Sequence, residues 1–149
     1  VVDMDLVPDN RWGRLRACLR ASGVEVPQAV PREGLVVNGV NGSGGCERFG
    51  VWLMPDNEGE GMLEDFLVKL VPGGDPSWPH AQGATTRARD LGAPLPDRHL
   101  TKGALHAWLA WREESGLPFG TALKAHVLGH DSPTALAFVA WFKQIFGDP

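Results

Sequence analysis

Two apolar segments, each ending at an aspartate, set the strongest constraint on how this chain folds. The first opens the sequence as Val1-Val2-Asp3-Met4-Asp5, and the second, Phe49–Met54, runs into Pro55-Asp56-Asn57. Nearly continuous apolar runs are typical of strands that are covered on both faces, as in a parallel sheet. Each run is followed by an amphipathic helical pattern, so the sequence predicts an α/β fold with parallel central strands at Val1–Met4 and Phe49–Met54.

The first helical pattern follows the opening strand closely. Pro8-Asp9-Asn10 is typical of a turn, and Asn10 is a suitable N-cap for a helix at Arg11–Ser22. Gly23 suits the position just after that helix. The apolar face of this helix is predicted to carry Trp12, Leu15, Cys18, Leu19 and Ser22, with its arginines largely off that face.

The remainder of the chain is predicted to contain one further strand and several helices. The strand is expected at Leu35–Asn38, before an irregular glycine-rich stretch. The helices are expected at Gly61–Val71, Ser77–Asp90, Thr101–Glu114, Leu117–Leu128 and Pro133–Phe146. With no internal repeat and no clear linker, residues 1–149 are predicted to form a single domain. Because the chain opens inside a central strand, we also expect a missing upstream strand and helix.

Helical spacing indicates which side chains of these helices pack. In the last helix, the residues expected to pack are Leu136, Val139, Ala140, Phe142 and Ile145. Trp108 and Trp111 cannot both face the core, so one of them is expected at the surface. Glu64 lies beside the apolar stripe of its helix and is expected to lean inward.

Composition limits the classes of function. The formal net charge of -4 gives no overall basic signature for nucleic acid, although a local or metal-bridged phosphate contact remains compatible with it. No apolar run is long enough to cross a bilayer. Cys18, expected to be a buried thiol, and Cys46, in a glycine-rich loop, form no C-x-x-C pair, which favours a reducing cytoplasm.

The aspartates at the strand ends predict a metal site. In an extended strand Asp3 and Asp5 project to the same face, roughly 6.6 Å apart along the backbone. Parallel strands end at a common edge, so Asp56 is expected beside them, with Glu64 and Asp65 on the helix that starts there. Oxygen ligands of this kind suit Mg²⁺ or Mn²⁺. An Asx turn at Asp56, and a helix-dipole role for Glu64 and Asp65, are the structural alternatives.

Two blocks of sequence resemble a known family. Val1-Val2-Asp3-Met4-Asp5 resembles the D-x-D strand of the Toprim fold, found in primases, topoisomerases and overcoming-lysogenization-defect nucleases. The block Met54-Pro55-Asp56-Asn57, followed by Gly61-Met62-Leu63-Glu64-Asp65, is similar to a bacterial family of unknown function related to Toprim. That family also carries a helical segment similar to residues 102–111, so the resemblance covers nearly the whole chain.

The resemblance implies Mg²⁺-dependent cleavage or transfer of phosphodiesters in nucleic acid. It implies that Asp3 and Asp5 are metal ligands, and by analogy with the related nucleases it suggests a second metal position for Glu64. Toprim domains also use a glutamate on an earlier strand-to-helix turn. No glutamate precedes Asp3 here, which agrees with a missing upstream segment.

Two other functions remain open. Asp3-Met4-Asp5-Leu6-Val7 also resembles the D-x-D-x-[TV] signature of haloacid-dehalogenase-like phosphatases, with Asp3 as nucleophile and Asp5 as acid/base, although the later motifs of that family are not evident. The six tryptophans are compatible with a non-catalytic domain that binds a protein partner or a second copy of the chain. The histidines, including the i,i+4 pair His126 and His130, lack familiar metal-site motifs and are expected to have packing or surface roles.

Overall fold

The structure is a computed structural model that describes residues 1–3, 8–38 and 48–147, and only the backbone of residues 8–10. It contains helices and short strands, in agreement with a mixed α and β architecture. The strands are β1 (Val2–Asp3), β2 (Leu35–Asn38), β3 (Arg48–Val51) and β4 (Leu53–Met54). The helices are α1 (Pro8–Ala21), α2 (Leu63–Val68), α3 (Ser77–Asp90), α4 (Leu100–Ala110), α5 (Phe119–Lys124) and α6 (Pro133–Phe146), with a 3-10 turn at Asp97–His99.

The chain divides into two compact units. One comprises Val1–Phe66 together with Pro133–Pro149, and the other comprises Leu67–Ser132. The first unit holds all four of these strands, and the second holds α3, α4 and α5. Within the described residues, no helix is both long and apolar enough to span a membrane.

The predicted parallel pairing of the two apolar segments is confirmed. In β1 and β4, Val2 lies opposite Leu53 and Asp3 opposite Met54, and the two strands run parallel. The expected continuous strand at Phe49–Met54 is wrong, because it is divided at Trp52. Residues 48–51 form β3, which pairs antiparallel with β2, whereas Leu53 and Met54 turn to β1. The carbonyl of Trp52 still accepts a hydrogen bond from the Val2 amide at 2.9 Å.

The core of the first unit includes residues from β2, β3 and β4. One cluster of buried residues contains Trp12, Val24, Val26, Val30, Leu35, Val51 and Leu53. Aromatic rings extend the core: the Trp52 ring lies 5.3 Å from Phe138 and 5.6 Å from Trp141, centroid to centroid. The Trp141 indole also donates a hydrogen bond to the Leu35 carbonyl at 3.0 Å. Helix α6 is therefore held to β2 by a buried hydrogen bond and to Trp52, between β3 and β4, by ring packing.

Helix α1 differs from its prediction at one end and agrees with it at the other. It begins at Pro8, so Asn10 lies inside the helix and is not its N-cap. Proline is favoured in a first turn because its missing amide has no helical partner to lose. Gly23 has a φ of 79° and follows the helix end as predicted, while the Val24 amide donates to the Leu19 carbonyl at 2.9 Å. Cys18 is exposed, which corrects the expectation of a buried thiol.

The face that α6 buries differs from the one predicted except at Ile145, which is half-buried and lies against Gly50. Ala135 and Trp141 are buried, and Phe138 packs on Trp52, whereas Leu136, Val139 and Phe142 are exposed. Because α6 is apolar on nearly every side, helical periodicity alone does not select its inner face. We call the exposed set Leu136, Val139, Phe142 and Phe146 the α6 stripe.

The second unit is built on the packing of α3 against α4. Leu105, Trp108 and Leu109 of α4 are almost completely buried, as are Ala122 and Leu128. Trp108 is buried whereas Trp111 is 45% exposed, which confirms that only one of these tryptophans faces the core. Helix α3 matches its predicted bounds, while α4 and α5 are shorter than expected.

Candidate functional site

The carboxyl ends of β1 and β4 form the edge at which the sequence predicts a site. Because the two strands run parallel and Asp3 lies opposite Met54, Asp3 and the Pro55–Asn57 turn follow the same end of the pair. Asp3 Oδ1 accepts a hydrogen bond from the backbone amide of Leu63 at 3.1 Å. That amide belongs to the first residue of α2, so Asp3 also lies at the start of the helix that carries Glu64. We call this region, from Asp3 to the turn at 55–57 and the start of α2, the acidic edge.

The turn of the acidic edge is held by a buried asparagine. Asn57 has a φ of 66° and is 7% exposed. Its Oδ1 accepts a hydrogen bond from the Leu53 amide at 2.7 Å, and its Nδ2 donates to the Arg32 carbonyl at 3.0 Å. Sequence reasoning missed this residue, although asparagine directly after Pro-Asp is a recognisable signal for a left-handed turn position. Asn57 thereby fixes the chain immediately after the parallel strand.

The other carboxylates of the edge have distinct local roles. Asp56 Oδ1 accepts hydrogen bonds from the amides of Glu58 at 3.2 Å and Gly59 at 2.9 Å, which is the Asx-turn alternative. Asp65 Oδ2 accepts a hydrogen bond from the Met62 amide at 2.8 Å and so caps the start of α2. Glu64 is 6% exposed, so it leans inward as predicted. Asp3 therefore lies on β1, Asp56 in the turn after β4 and Glu64 in the first turn of α2.

The acidic edge offers the carboxylate oxygens that Mg²⁺ prefers as ligands, but the described residues supply only a small number of them. Asp5 lies outside the described residues. In segments 1–3, 8–38 and 48–147, no three side chains of His, Cys, Asp or Glu are grouped so that they could hold a metal ion. Mg²⁺ commonly takes only one or two protein carboxylates, with water and substrate phosphate supplying the remaining oxygens. Asp3 together with Asp5 would meet that requirement, and metal roles for Asp56 and Glu64 remain predictions.

A second polar cluster, in the other unit, was not predicted. Asp75 Oδ2 accepts hydrogen bonds from Trp108 Nε1 and from the Arg112 guanidinium, each at 3.0 Å. Asp75 Oδ1 accepts from the Ser77 hydroxyl at 2.6 Å and from the Ser77 amide at 2.8 Å. Arg112 also donates to the Ser77 hydroxyl, and its guanidinium carbon lies 4.4 Å from the Trp108 ring centroid. Asp75 and Trp108 are 33 residues apart in sequence, so patterns among neighbouring residues do not predict this cluster.

The cluster keeps Asp75 ionised. The hydrogen bond from the Ser77 hydroxyl is the largest influence, and with the Ser77 amide, Trp108 and the charge of Arg112 it lowers the pKa of Asp75 from 3.8 to about 2, against the opposing effect of burial. Every group around this carboxylate is a donor. These contacts join the start of α3 to the end of α4, so we interpret the cluster as a structural tie between the two helices.

One family model matches the chain, over residues 1–147, and it is described as "Protein of unknown function (DUF3226)". Neither the curated proteins nor the solved structures include a match to the chain. Because the description of the family states no activity, the residues of the acidic edge are the main guide to what the chain does.

Proposed function

We propose that this chain, which belongs to the DUF3226 family, is a Toprim-related protein that processes phosphodiesters in nucleic acid with a divalent metal ion at its acidic edge. The observation that carries the proposal is the parallel pairing of β1 with β4, which ends at Asp3 on one strand and at the turn to Asp56 on the other. Ligands of α/β proteins commonly bind at such strand ends.

The residues around this edge support a phosphate-binding role. Asp3 and Asp5 are the proposed holders of Mg²⁺ or Mn²⁺, with Glu64 suggested for a second position. A bound ion would supply positive charge to a phosphate oxygen and lower the pKa of an attached water. Helix α1 follows β1 and carries Arg11, Arg14, Arg16 and Arg20, of which all but Arg16 are exposed. Arginines of this kind contact phosphates and hold a nucleic acid in register.

The test is to replace Asp3 and Asp5 together by asparagine. Asparagine keeps an acceptor oxygen for the Leu63 amide but removes both negative charges, so we expect Mg²⁺ and Mn²⁺ affinity to fall at least about tenfold with little change in stability. Isothermal titration calorimetry measures the affinity. Cleavage of single- and double-stranded DNA and RNA, assayed with Mn²⁺, should be lost in the same variant.

A matched control removes the same charge elsewhere. Glu113 and Glu114 are exposed, and their joint replacement by glutamine also removes two negative charges. This control should bind the ion as the original chain does. Equal affinity in the chain and in the Asp3/Asp5 variant would refute the metal site. Hydrolysis of phosphate monoesters without cleavage of nucleic acid would instead favour the haloacid-dehalogenase-like alternative.

A second candidate function is association of two copies through the α6 stripe. Its four side chains are between 45% and 68% exposed and follow one another at helical spacing along α6. Their combined exposed area is roughly 400 Å², the size of the largest apolar patch on many monomeric proteins, and such patches often have a function. Two copies meeting through this patch would bury roughly 800 Å² in total, less than a stable interface needs, so the dimer we propose is weak.

Sedimentation velocity over a range of concentrations tests this association. We expect the chain to dimerise at high micromolar concentration and the double variant Val139→Ser/Phe146→Ser to remain monomeric. Leu91→Ser is the control, because Leu91 is 70% exposed but lies outside the stripe. Monomeric behaviour of the unaltered chain at every concentration would rule out this candidate.

A further inference from the structure

His126 and His130 form a close pair of imidazoles in the unit that does not contain the acidic edge. Their Nδ1 atoms are 3.2 Å apart, and their ring centroids are 4.8 Å apart. Both side chains are exposed, so solvent and small ions reach them. The pair belongs to the segment of the chain that follows α5.

The backbone that carries His126 is held by the end of α5. His126 has a φ of 55°, and its amide donates to the Leu123 carbonyl at 3.1 Å. The next amide, of Val127, donates to the Ala122 carbonyl at 2.9 Å. This is the Schellman arrangement, in which the left-handed residue is usually glycine. A histidine at this position accepts backbone strain that a glycine would avoid, and strained positions of this kind often accompany a binding site.

The backbone that leads to His130 is anchored as well. Leu128 is completely buried, and the amide of Gly129 donates to the Leu70 carbonyl at 2.7 Å. Both imidazoles therefore project from chain segments that the fold fixes on either side of Leu128. A pair of ligands held in this way loses little freedom when it binds an ion.

We propose that His126 and His130 bind a divalent transition metal ion, with zinc as the reference ion, through their Nδ1 atoms. Two nitrogens at about 2.0 to 2.1 Å from a tetrahedral zinc are ~3.3 Å apart, and the observed separation is close to that spacing. Imidazole prefers zinc, copper and nickel, whereas Mg²⁺ prefers oxygen. Among the residues that the structure describes, no third His, Cys, Asp or Glu completes a group of three, so water fills the remaining positions.

The metal-free pair is compatible with this role. Without an ion, one Nδ1–H donates to the other Nδ1, and the tautomer decides which ring is the donor. When both rings carry their proton on Nε2, both Nδ1 atoms offer a lone pair and each imidazole stays neutral. An ion about 2.0 to 2.1 Å from both nitrogens lies to one side of the line that joins them, so both rings turn slightly toward it. Zinc binding therefore requires a change of tautomer in one ring, a small rotation of both rings and no large rearrangement of the backbone.

Calorimetric titration with zinc chloride tests the site, using His126→Gly and His130→Gln. Each variant should bind zinc at least about tenfold more weakly, because a direct ligand matters no less than the groups that support it. His126→Gly also relieves the left-handed strain, so its Tm without zinc should equal or exceed that of the original chain. Zinc should raise the Tm of the original chain but not that of His126→Gly.

His106→Gln is the matched control, because His106 is an exposed histidine of the same unit that is not part of the pair. Its ring packs against the Phe119 ring, with the two centroids 5.1 Å apart. This variant should keep the zinc affinity of the original chain, and the heat of Mg²⁺ binding should be the same in the original chain and in all three histidine variants. The proposal is overturned if both ligand variants bind zinc within about twofold of the original chain, or if imidazole ¹⁵N spectra show zinc shifting the signals of other histidines instead. Because the acidic edge is unchanged in these variants, failure here leaves the proposed phosphodiester function untouched.

Discussion

Replacing Gly34 by alanine is expected to lower the free energy of unfolding of the first unit by about 3 kcal/mol. Gly34 has a φ of 87°, where any other residue is strained, and an added Cβ would overlap the Trp141 indole. The indole has little room to move, because it donates to the Leu35 carbonyl and packs against Phe138 at 5.5 Å. Urea denaturation followed by tryptophan fluorescence measures the loss.

Gly23→Ala separates backbone strain from overlap. Gly23 has a φ of 79°, but a Cβ there would meet no atom within 4 Å. Its replacement should therefore cost about 1 kcal/mol, the strain alone. Equal losses at Gly23 and Gly34 would mean that the contact with Trp141 contributes nothing to the effect.

Replacing Asp75 by asparagine is expected to destabilise the second unit by about 2 to 3 kcal/mol, although the two side chains have nearly the same size. Both carboxylate oxygens of Asp75 accept hydrogen bonds, from Ser77 on one side and from Trp108 and Arg112 on the other. The NH2 group of an asparagine would face either the Ser77 donors or the donors of Trp108 and Arg112, and donors do not bond to each other. Arg112 would also lose the negative charge that it pairs with, in a site where both side chains are mostly buried. Thermal and urea denaturation at neutral pH measure the loss.

The pH dependence of this loss is set by the lowered pKa of Asp75. The ordinary value is 3.8 and the folded value is about 2, so the stabilisation is fully present above about pH 4 and is lost as the pH falls through 2. The stability difference between the two chains should therefore shrink between pH 4 and pH 2. Asp97→Asn is the control: Asp97 pairs with Arg89, but its side chain is 84% exposed, and its replacement should cost less than about 0.5 kcal/mol. A loss at Asp75 no larger than this would contradict the structural role of the cluster.

The sequence predicted the elements whose signals are local. The parallel pairing of β1 with β4, the position of Gly23 and the bounds of α3 and α6 all follow from apolar runs, proline and glycine that are neighbours in the chain. Glu64 was expected to lean inward because its own helix places it beside apolar residues, and it is buried. Toprim ancestry and the metal site remain predictions.

The features that were missed depend on residues far apart in the chain. The apolar run at 49–54 changes its partner strand at Trp52, from β2 to β1. The residues of the run do not indicate this change, because it depends on strands that are distant in sequence. The inner face of α6 is selected by Trp52 and Leu35, and a helix that is apolar on most sides does not indicate it. Asp75 likewise finds its partners on α4, which no spacing rule connects to α3.

The pairing of β1 with β4 also has a consequence for the order in which the chain folds. Val2 and Leu53 are 51 positions apart, so their contact closes a long loop and has a high entropic cost until the intervening chain is ordered. The β2–β3 pair joins residues that are much closer in sequence, and only Trp52 separates the end of β3 from the start of β4. We therefore expect the antiparallel β2–β3 pair to form first and β1 to pair with β4 afterwards. Asp3 meets the start of α2 only after that step, so an unfolded or partly folded chain carries the acidic residues without the edge that they form.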